Sequence, residues 1–511
     1  MQYIGFNLGA NEYTIPILKV REIINMPAIT RMPQSLPYIE GVTNIRGNII
    51  PIVNLKKLVN LNNPPIPPLE KGGKGGFDCK VHHSEVWGLR EKKYDWLLKN
   101  DIKTTRWKKI KPKSEFYLFI PRDEGLLKQY QSYPKTTDIF PVNSVGIVTS
   151  RDNFVLDFDR DVLRRRILQF RDRKLPDEII QQTYNLKDKS NWKLKDARKN
   201  VMKDDNWEQA ITKILYRPFD EQWIFFHDAV IEISRKEVMQ HMIQDNLALL
   251  THRREELDVP YTHVLVTNLI SEHGCLSSKT TNYHFPLYLY IETNKPKKRK
   301  TFGSAFMLFE PGAPYTIKKT NISESIIQRL SSTYGKQPSP EDIFYYIYAV
   351  LYSNVYRTKY AEFLKIDFPR APFTKDYSLF IEIGKHGKKV VDLHLLKANE
   401  LNKPIAKFQG SGDNRTRKQK YDSETKRVHI NDNQYFEGIE KDVREYQIGG
   451  YHVLDKWLKD RKDRVLSLDD IKHYCRIVTA IQKTIEIQKA IDDLYPEVEK
   501  ETIELIIREN K

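Results

Sequence analysis

Val264-Leu265-Val266-Thr267 and, further on, Leu287-Tyr288-Leu289-Tyr290-Ile291 are short apolar runs rich in β-branched and aromatic residues, the pattern of strands. Towards the C-terminus Tyr474, Ile477, Val478, Ile481 and Ile485 recur at helical spacing. That period predicts an amphipathic helix over residues 469–492 whose apolar stripe packs on a core. Elements of both kinds interleave from about Val81 to Lys511, so the class is mixed α and β.

Composition narrows the function. The 511 residues suffice for two to four domains, each with its own core. Cys79, Cys275 and Cys475 are the only cysteines and form no C-x-x-C pair, which argues against a disulfide framework and a zinc site. His82-His83 beside Cys79 lacks a second ligand pair at usable spacing, so these histidines are expected to face solvent and no metal is expected. No apolar run approaches the roughly 20 residues that span a bilayer, and MQYIGFNLGANEY lacks the features of a signal peptide. A soluble protein of the reducing cytoplasm is expected.

Lys and Arg outnumber Asp and Glu by 84 to 67, a net charge of +17, which favours a polyanionic partner, nucleic acid first. A merely basic soluble protein is the bland alternative. The 28 tyrosines often stand beside cations, as in Val355-Tyr356-Arg357-Thr358-Lys359-Tyr360, a mixture suited to phosphate contact and base stacking. Lys295-Pro296-Lys297-Lys298-Arg299-Lys300 reads as a solvated loop, with phosphate contact as its functional alternative. A G-x-S-x-G, a P-loop or a cysteine nucleophile in a recognisable histidine context is absent.

Residues 1–60 alternate apolar and polar positions, with Tyr13, Ile15 and Ile17 on one face and Ile49-Ile50-Pro51-Ile52-Val53 ahead of a polar boundary. A small β region is expected, with Gly41 and Gly47 bracketing a strand pair that can turn tightly. The string Tyr38-Ile39-Glu40-Gly41-Val42-Thr43-Asn44-Ile45-Arg46-Gly47-Asn48-Ile49-Ile50-Pro51-Ile52-Val53, preceded by Tyr13-Thr14-Ile15-Pro16-Ile17 and Val20-Arg21-Glu22-Ile23-Ile24, resembles the first half of a CheW-like domain. Residues 61–79 are too rich in Pro and Gly to supply a core and read as a linker. Asn63-Pro64-Pro65 inside it looks like the base-binding loop of DNA adenine methyltransferases. Ile66 replaces the required aromatic and no apolar strand precedes it, so it is read as a coincidence of composition.

A larger resemblance starts at Val81-His82-His83-Ser84-Glu85-Val86-Trp87-Gly88 and runs through Phe116-Tyr117-Leu118-Phe119, Gly146-Ile147-Val148-Thr149-Ser150-Arg151-Asp152 and Tyr216-Arg217-Pro218-Phe219-Asp220-Glu221-Gln222-Trp223. It continues in Pro340-Glu341-Asp342-Ile343-Phe344-Tyr345-Tyr346-Ile347-Tyr348, Tyr360-Ala361-Glu362-Phe363-Leu364-Lys365-Ile366-Asp367-Phe368-Pro369-Arg370 and Ile448-Gly449-Gly450-Tyr451-His452-Val453-Leu454-Asp455-Lys456-Trp457. Over residues 80–495 the chain is similar to type ISP restriction-modification enzymes, adenine-specific DNA methyltransferases, and especially to their C-terminal specificity domain.

The CheW-like resemblance implies a partial β-barrel-like segment over 1–60; beyond the linker, the type ISP resemblance implies a remnant of a methyltransferase sheet over 80–160 and a large α+β DNA target-recognition domain over 161–495, followed by a tail over 496–511. The latter resemblance implies double-stranded DNA as partner. The glycine-bearing loop that holds S-adenosylmethionine and the catalytic loop of the complete family are missing with their context, so recognition without catalysis is expected and no cofactor in this chain. A separately encoded methyltransferase or nuclease subunit would supply the chemistry. Two other readings stay open: a chemotaxis scaffold docking on a receptor or kinase, and an inactive remnant of a restriction-modification gene.

Within these strings Arg217, Arg357, Arg370 and Arg461 offer planar forks for guanine or phosphate, Lys365, Lys456 and Lys459 act as point charges, and Tyr356 offers a ring. Arg217 has a structural alternative, an ion pair with Asp220 under Trp223. Gly449 and Gly450 are expected in a left-handed turn and Trp457 in a core. Arg461 and Lys459 are the stronger DNA candidates, although the alternating charges from Lys456 to Arg464 equally suit a plain surface network.

Overall fold

The computed structural model describes residues 3–8, 11–16, 29–30, 39–45, 48–54, 80–82, 107–109, 124–254, 260–292 and 316–505. The linker with Asn63-Pro64-Pro65, Cys79, His83, Phe116-Tyr117-Leu118-Phe119 and the Lys295–Lys300 charge run lie outside them. The chain divides into two units, residues 1–125 and 126–511.

The N-terminal unit holds two small antiparallel sheets where alternation predicted β structure. Tyr3–Leu8 pairs with Asn11–Pro16, and Ile39–Ile45 with Asn48–Val53. Pro51 sits within the second pair, opposite Val42. A proline is tolerated there because Val42 directs both its N–H and its carbonyl away, to Thr30 at 2.8 Å each. Val42 and Pro51 therefore face each other as a non-hydrogen-bonded pair, and the missing proline donor breaks no bond.

The described strands within residues 80–160 do not form the remnant sheet expected there. Lys80–His82 adds to Tyr3–Leu8 and to Trp107–Lys109 within the N-terminal unit. Ser144–Val145 and Leu156–Asp157 belong to two different sheets of the larger unit. All these pairings are antiparallel, so the described strands do not form one parallel methyltransferase-type sheet.

The larger unit packs three cores. In the first, a sheet in the order Ile270–Ser271, Ile211–Arg217, Asp220–Phe225, Leu156–Asp157 lies against the helices Arg160–Arg171, Asp177–Tyr184 and Leu194–Lys203. Asp159 starts the first helix by accepting from the amides of Asp161 and Val162. Leu163, Ile167 and Phe170 then recur on its inner face, fully buried with Ile214 and Ile224.

The second core joins the sheet containing Ala248–His252 and Val264–Thr267 to the helices Pro340–Tyr352 and Tyr377–His394. Val264–Thr267 is a strand buried at every residue, as its unbroken apolar run predicted. Ser339 caps the helix that follows, with Pro340 in the first turn. The two helices approach so closely that a Cβ at Gly387 would lie 1.9 Å from the Tyr345 carbonyl oxygen. Tyrosine fills this core: Tyr346, Tyr348, Tyr352, Tyr356 and Tyr360 are each at most 1% exposed. Their hydroxyls find partners inside, among them Pro372 O at 3.0 Å, His394 Nδ1 at 2.7 Å and Val264 O at 2.7 Å.

The third core is built on the helix Leu468–Val498, longer at its C-terminal end than periodicity predicted and started by a reciprocal Ser467–Asp470 cap. The helix Val453–Lys459 and a four-stranded sheet (Lys407–Gln409, Tyr435–Glu437, Arg427–His429, Lys420–Asp422) close over it. Trp457 lies here, 1% exposed, as expected of a core residue. Gly449 carries φ +62° in the turn between Gln447–Ile448 and Tyr451–His452, its amide bonded to Thr262 O at 3.0 Å. Among the described residues no helix is long and apolar enough to cross a membrane.

Candidate nucleic-acid interface

Where the third core meets solvent, two basic segments are stitched side by side. Residues 459–466 follow the helix Val453–Lys459, and residues 413–420 lead into the strand Lys420–Asp422. The Thr416 amide donates to Arg464 O at 2.9 Å, the Asp463 amide to Thr416 O at 2.8 Å and the Leu466 amide to Asn414 O at 2.9 Å. Asn414 and Asp463 take left-handed backbone at φ 56° and 64°, which short polar side chains tolerate.

Between the segments opens a cleft of about 370 Å³ lined by Thr416, Arg417, Lys418, Gln419, Ile430, Leu458, Lys459 and Lys462. Its floor is apolar, since Ile430 and Leu458 are buried, and its rim is cationic, since Arg417, Lys418, Lys459 and Lys462 are exposed. Lys418, Lys459 and Lys462 make no salt bridge among the described residues, and Arg417 only a long contact of 3.5 Å to Asp413. Four like charges on a concave wall focus a positive field outward, and their ammonium and guanidinium donors stay available to an anion.

The residues singled out from sequence divide sharply by place. Lys459 is on the cleft rim. Lys456 is half-buried and paired with Asp460 one helical turn on. Lys365 is half-buried at the end of the short helix Ala361–Leu364. The other five are bonded within the fold; for the buried Tyr356, Arg357 and Arg461 this corrects the reading of side chains open to DNA, while Arg217 and Arg370 are half-buried. Arg461 is 4% exposed and donates to Asp220 Oδ1 at 2.6 Å, with its guanidinium 3.7 Å from the Trp457 ring centre. Arg357, 8% exposed, donates to Leu351 O at 2.7 Å and lies over Tyr352. Arg370 ties down Gln131 O at 3.2 Å and Tyr133 O at 2.6 Å. Tyr356 is fully buried, its hydroxyl donating to Arg370 O at 2.6 Å.

Arg217 does form an ion pair, but with Glu272 at 2.7 Å, and Asp220 serves Arg461 instead. Burial works to raise the Glu272 carboxyl; hydrogen bonding from His273 and the Arg217 charge outweigh it and hold the group below its ordinary range. Among the described residues no set of His, Cys, Asp and Glu could hold a metal.

Sequence reasoning passed over Arg415-Thr416-Arg417-Lys418-Gln419-Lys420, which supplies the opposite wall. The signal was present as four cations in a six-residue run without an acid.

Comparison with known proteins follows the same division of the chain. The profile of the type ISP C-terminal specificity domain matches residues 138–490, and that of the CheW-like domain residues 2–72. The chemotaxis protein CheW of Helicobacter pylori is 45% identical over 56 residues, 11% of this chain and 34% of that protein. CheW of Treponema pallidum is 38% identical over 78 residues, 15% of this chain and 44% of that protein. Among solved structures, a DrdV–DNA complex superposes with a TM-score of 0.59 at 20% identity, covering 78% of this chain and 42% of that one. The ATP-dependent type ISP restriction-modification enzyme LlaBIII bound to DNA gives 0.55 at 19% identity, covering 76% and 25%. At these identities the likeness is one of fold, and the chain spans less than half the length of each relative.

Proposed function

The chain belongs to the family of type ISP C-terminal specificity domains, and from that premise we propose that its larger unit recognises sequence in duplex DNA for a restriction-modification adenine methyltransferase. The cleft between residues 413–420 and 459–466 is then where DNA phosphates are held. The observation that carries this reading is the contrast in pairing: Arg217, Arg357, Arg370 and Arg461 have intramolecular partners, whereas the exposed Lys418, Lys459 and Lys462 make no salt bridge among the described residues. Lys459 remains a phosphate contact in this account. Arg217, Tyr356, Arg357, Arg370 and Arg461, each bonded within the fold, become part of its frame, and Lys456 is tethered by Asp460.

In this reading the S-adenosylmethionine loop and methyl transfer lie outside residues 161–495. We retain residues 161–495 as the recognising body. The CheW-like match over residues 2–72 favours a second reading, a segment that docks on a chemotaxis receptor or kinase. That reading concerns the N-terminal unit alone and leaves the cleft unexplained.

The test is the double change Lys459→Ala with Lys462→Ala. Each phosphate contact releases counterions and contributes about 0.9 to the slope of log affinity against log salt. The pair is expected to flatten that slope by about two units for every duplex sequence, with the unfolding midpoint unchanged because both side chains are exposed. An unaltered slope contradicts the assignment of the cleft.

A further inference from the structure

Beyond the cleft lining, cations and aromatic rings alternate from Arg464 onto neighbouring strands and a helix. Arg464, two residues past the cleft-lining Lys462, is exposed and its guanidinium stands 4.4 Å from the Phe158 ring centre. Arg461 lies at the same distance from that ring. The preceding residue, Asp157, faces Trp223 across the sheet. Over the Trp223 ring lie two more cations, Lys213 at 5.5 Å from its cross-strand position and Arg160 at 5.7 Å from the first turn of its helix. Phe158 and Trp223 are half-buried, whereas Arg160, Lys213 and Arg464 are exposed. Lys213 is shared with Glu221 at 2.9 Å; Arg160 and Arg464 make no salt bridge among the described residues.

We infer that this strip is a second DNA contact, continuing the path of the phosphate backbone from the cleft rim at Lys462 through Arg464 to Arg160 and Lys213. The inference rests on the DNA-binding reading of the cleft and extends it from Arg464, at the end of one cleft segment, to the strands and helix beside it. The rings offer Arg160 and Arg464 a resting place that needs no acid. A guanidinium resting on an aromatic face gains a modest electrostatic attraction while its edge keeps its donors. It is held in place and remains able to pair with a phosphate. Ring-held arginines thus lose less freedom on binding than free surface lysines do. The partner is duplex DNA long enough to reach past the cleft, and a short duplex would engage the cleft alone.

The experiment measures binding of the full chain to a long and a short mixed-sequence duplex across a salt series, for wild type, Arg160→Ala and Arg464→Ala. Each variant is expected to flatten the salt slope by about one unit on the long duplex and to leave it unchanged on the short one. Saturation with the long duplex is expected to quench tryptophan fluorescence, and Trp223→Phe to remove part of that quench. If wild type binds with steep salt dependence while both arginine variants keep its slope on the long duplex, the second contact is refuted and the cleft stands. If wild type binds neither duplex in a salt-dependent way, the DNA reading itself fails.

Discussion

Replacing Arg461 by Ala is expected to act on the fold rather than on phosphate contact. Its side chain is 5% exposed and that of Asp220 1%, and their contact of 2.6 Å joins the segment after helix Val453–Lys459 to the strand Asp220–Phe225. Asp470 is the only other carboxylate within salt-bridge reach among the described residues, at 3.7 Å from Arg461 Nε and itself part of the Ser467 cap. Removing one partner of a buried pair leaves the other charged and undersolvated, a cost of about 3–5 kcal/mol. The lost stacking on Trp457 adds about 1 kcal/mol. Against a total of about 5–15 kcal/mol for a domain, this is a large fraction. Urea unfolding followed by circular dichroism should show a clearly lower midpoint for Arg461→Ala, while the salt slope of DNA binding by the folded fraction stays that of wild type. The reasoning is refuted if the midpoint is unchanged and the slope falls by about one unit, because Arg461 would then be touching a phosphate.

Gly449→Ala is expected to cost more than about 2 kcal/mol, since the backbone is left-handed at φ +62° and the new Cβ would lie 1.9 Å from Leu276 O; an unfolding midpoint equal to wild type would count against this turn. Acid should also loosen the larger unit, because burial pushes His284 and His394 down to about 3. Their folded values lie below the unfolded one, so the unfolded chain binds more protons and stability is lost as pH falls from about 6.5 towards 3, by up to about 1.4 kcal/mol per pH unit for each histidine. Unfolding midpoints of wild type and His394→Gln at about pH 7 and about pH 5 check this, with a smaller acid loss expected in the variant; equal losses would contradict it.

What could be read from sequence was what local pattern determines. The helix near the C-terminus announced itself by a sustained 3.6-residue period, and Leu468–Val498 contains the whole predicted span. The strand Val264–Thr267 was legible as an apolar run, and Gly449 as a residue with no Cβ to clash. The destination of each charge was not. Asp220 and Arg461 are 241 positions apart, and nothing near either one names the other. The same limit misdirected the reading of Tyr356 and Arg357, where cations beside tyrosines resembled a DNA surface. Helix Asn354–Lys359 packs against Leu468–Val498, so Tyr356, with Tyr360 just past the helix, lies in a core that sequence adjacency does not reveal. The run Arg415–Lys420 was missed for the opposite reason: it lacks periodicity, and becomes a wall only because hydrogen bonds set it beside residues 459–466.

The most direct measurement of the central claim is selection of the purified full chain on a randomised duplex pool at low salt, with sequencing of the retained DNA at successive salt steps. Sequence recognition predicts retention that weakens steeply with salt and a motif that sharpens as nonspecific phosphate binding is stripped away. Retention without any enriched motif, or no retention at low salt, would contradict the account.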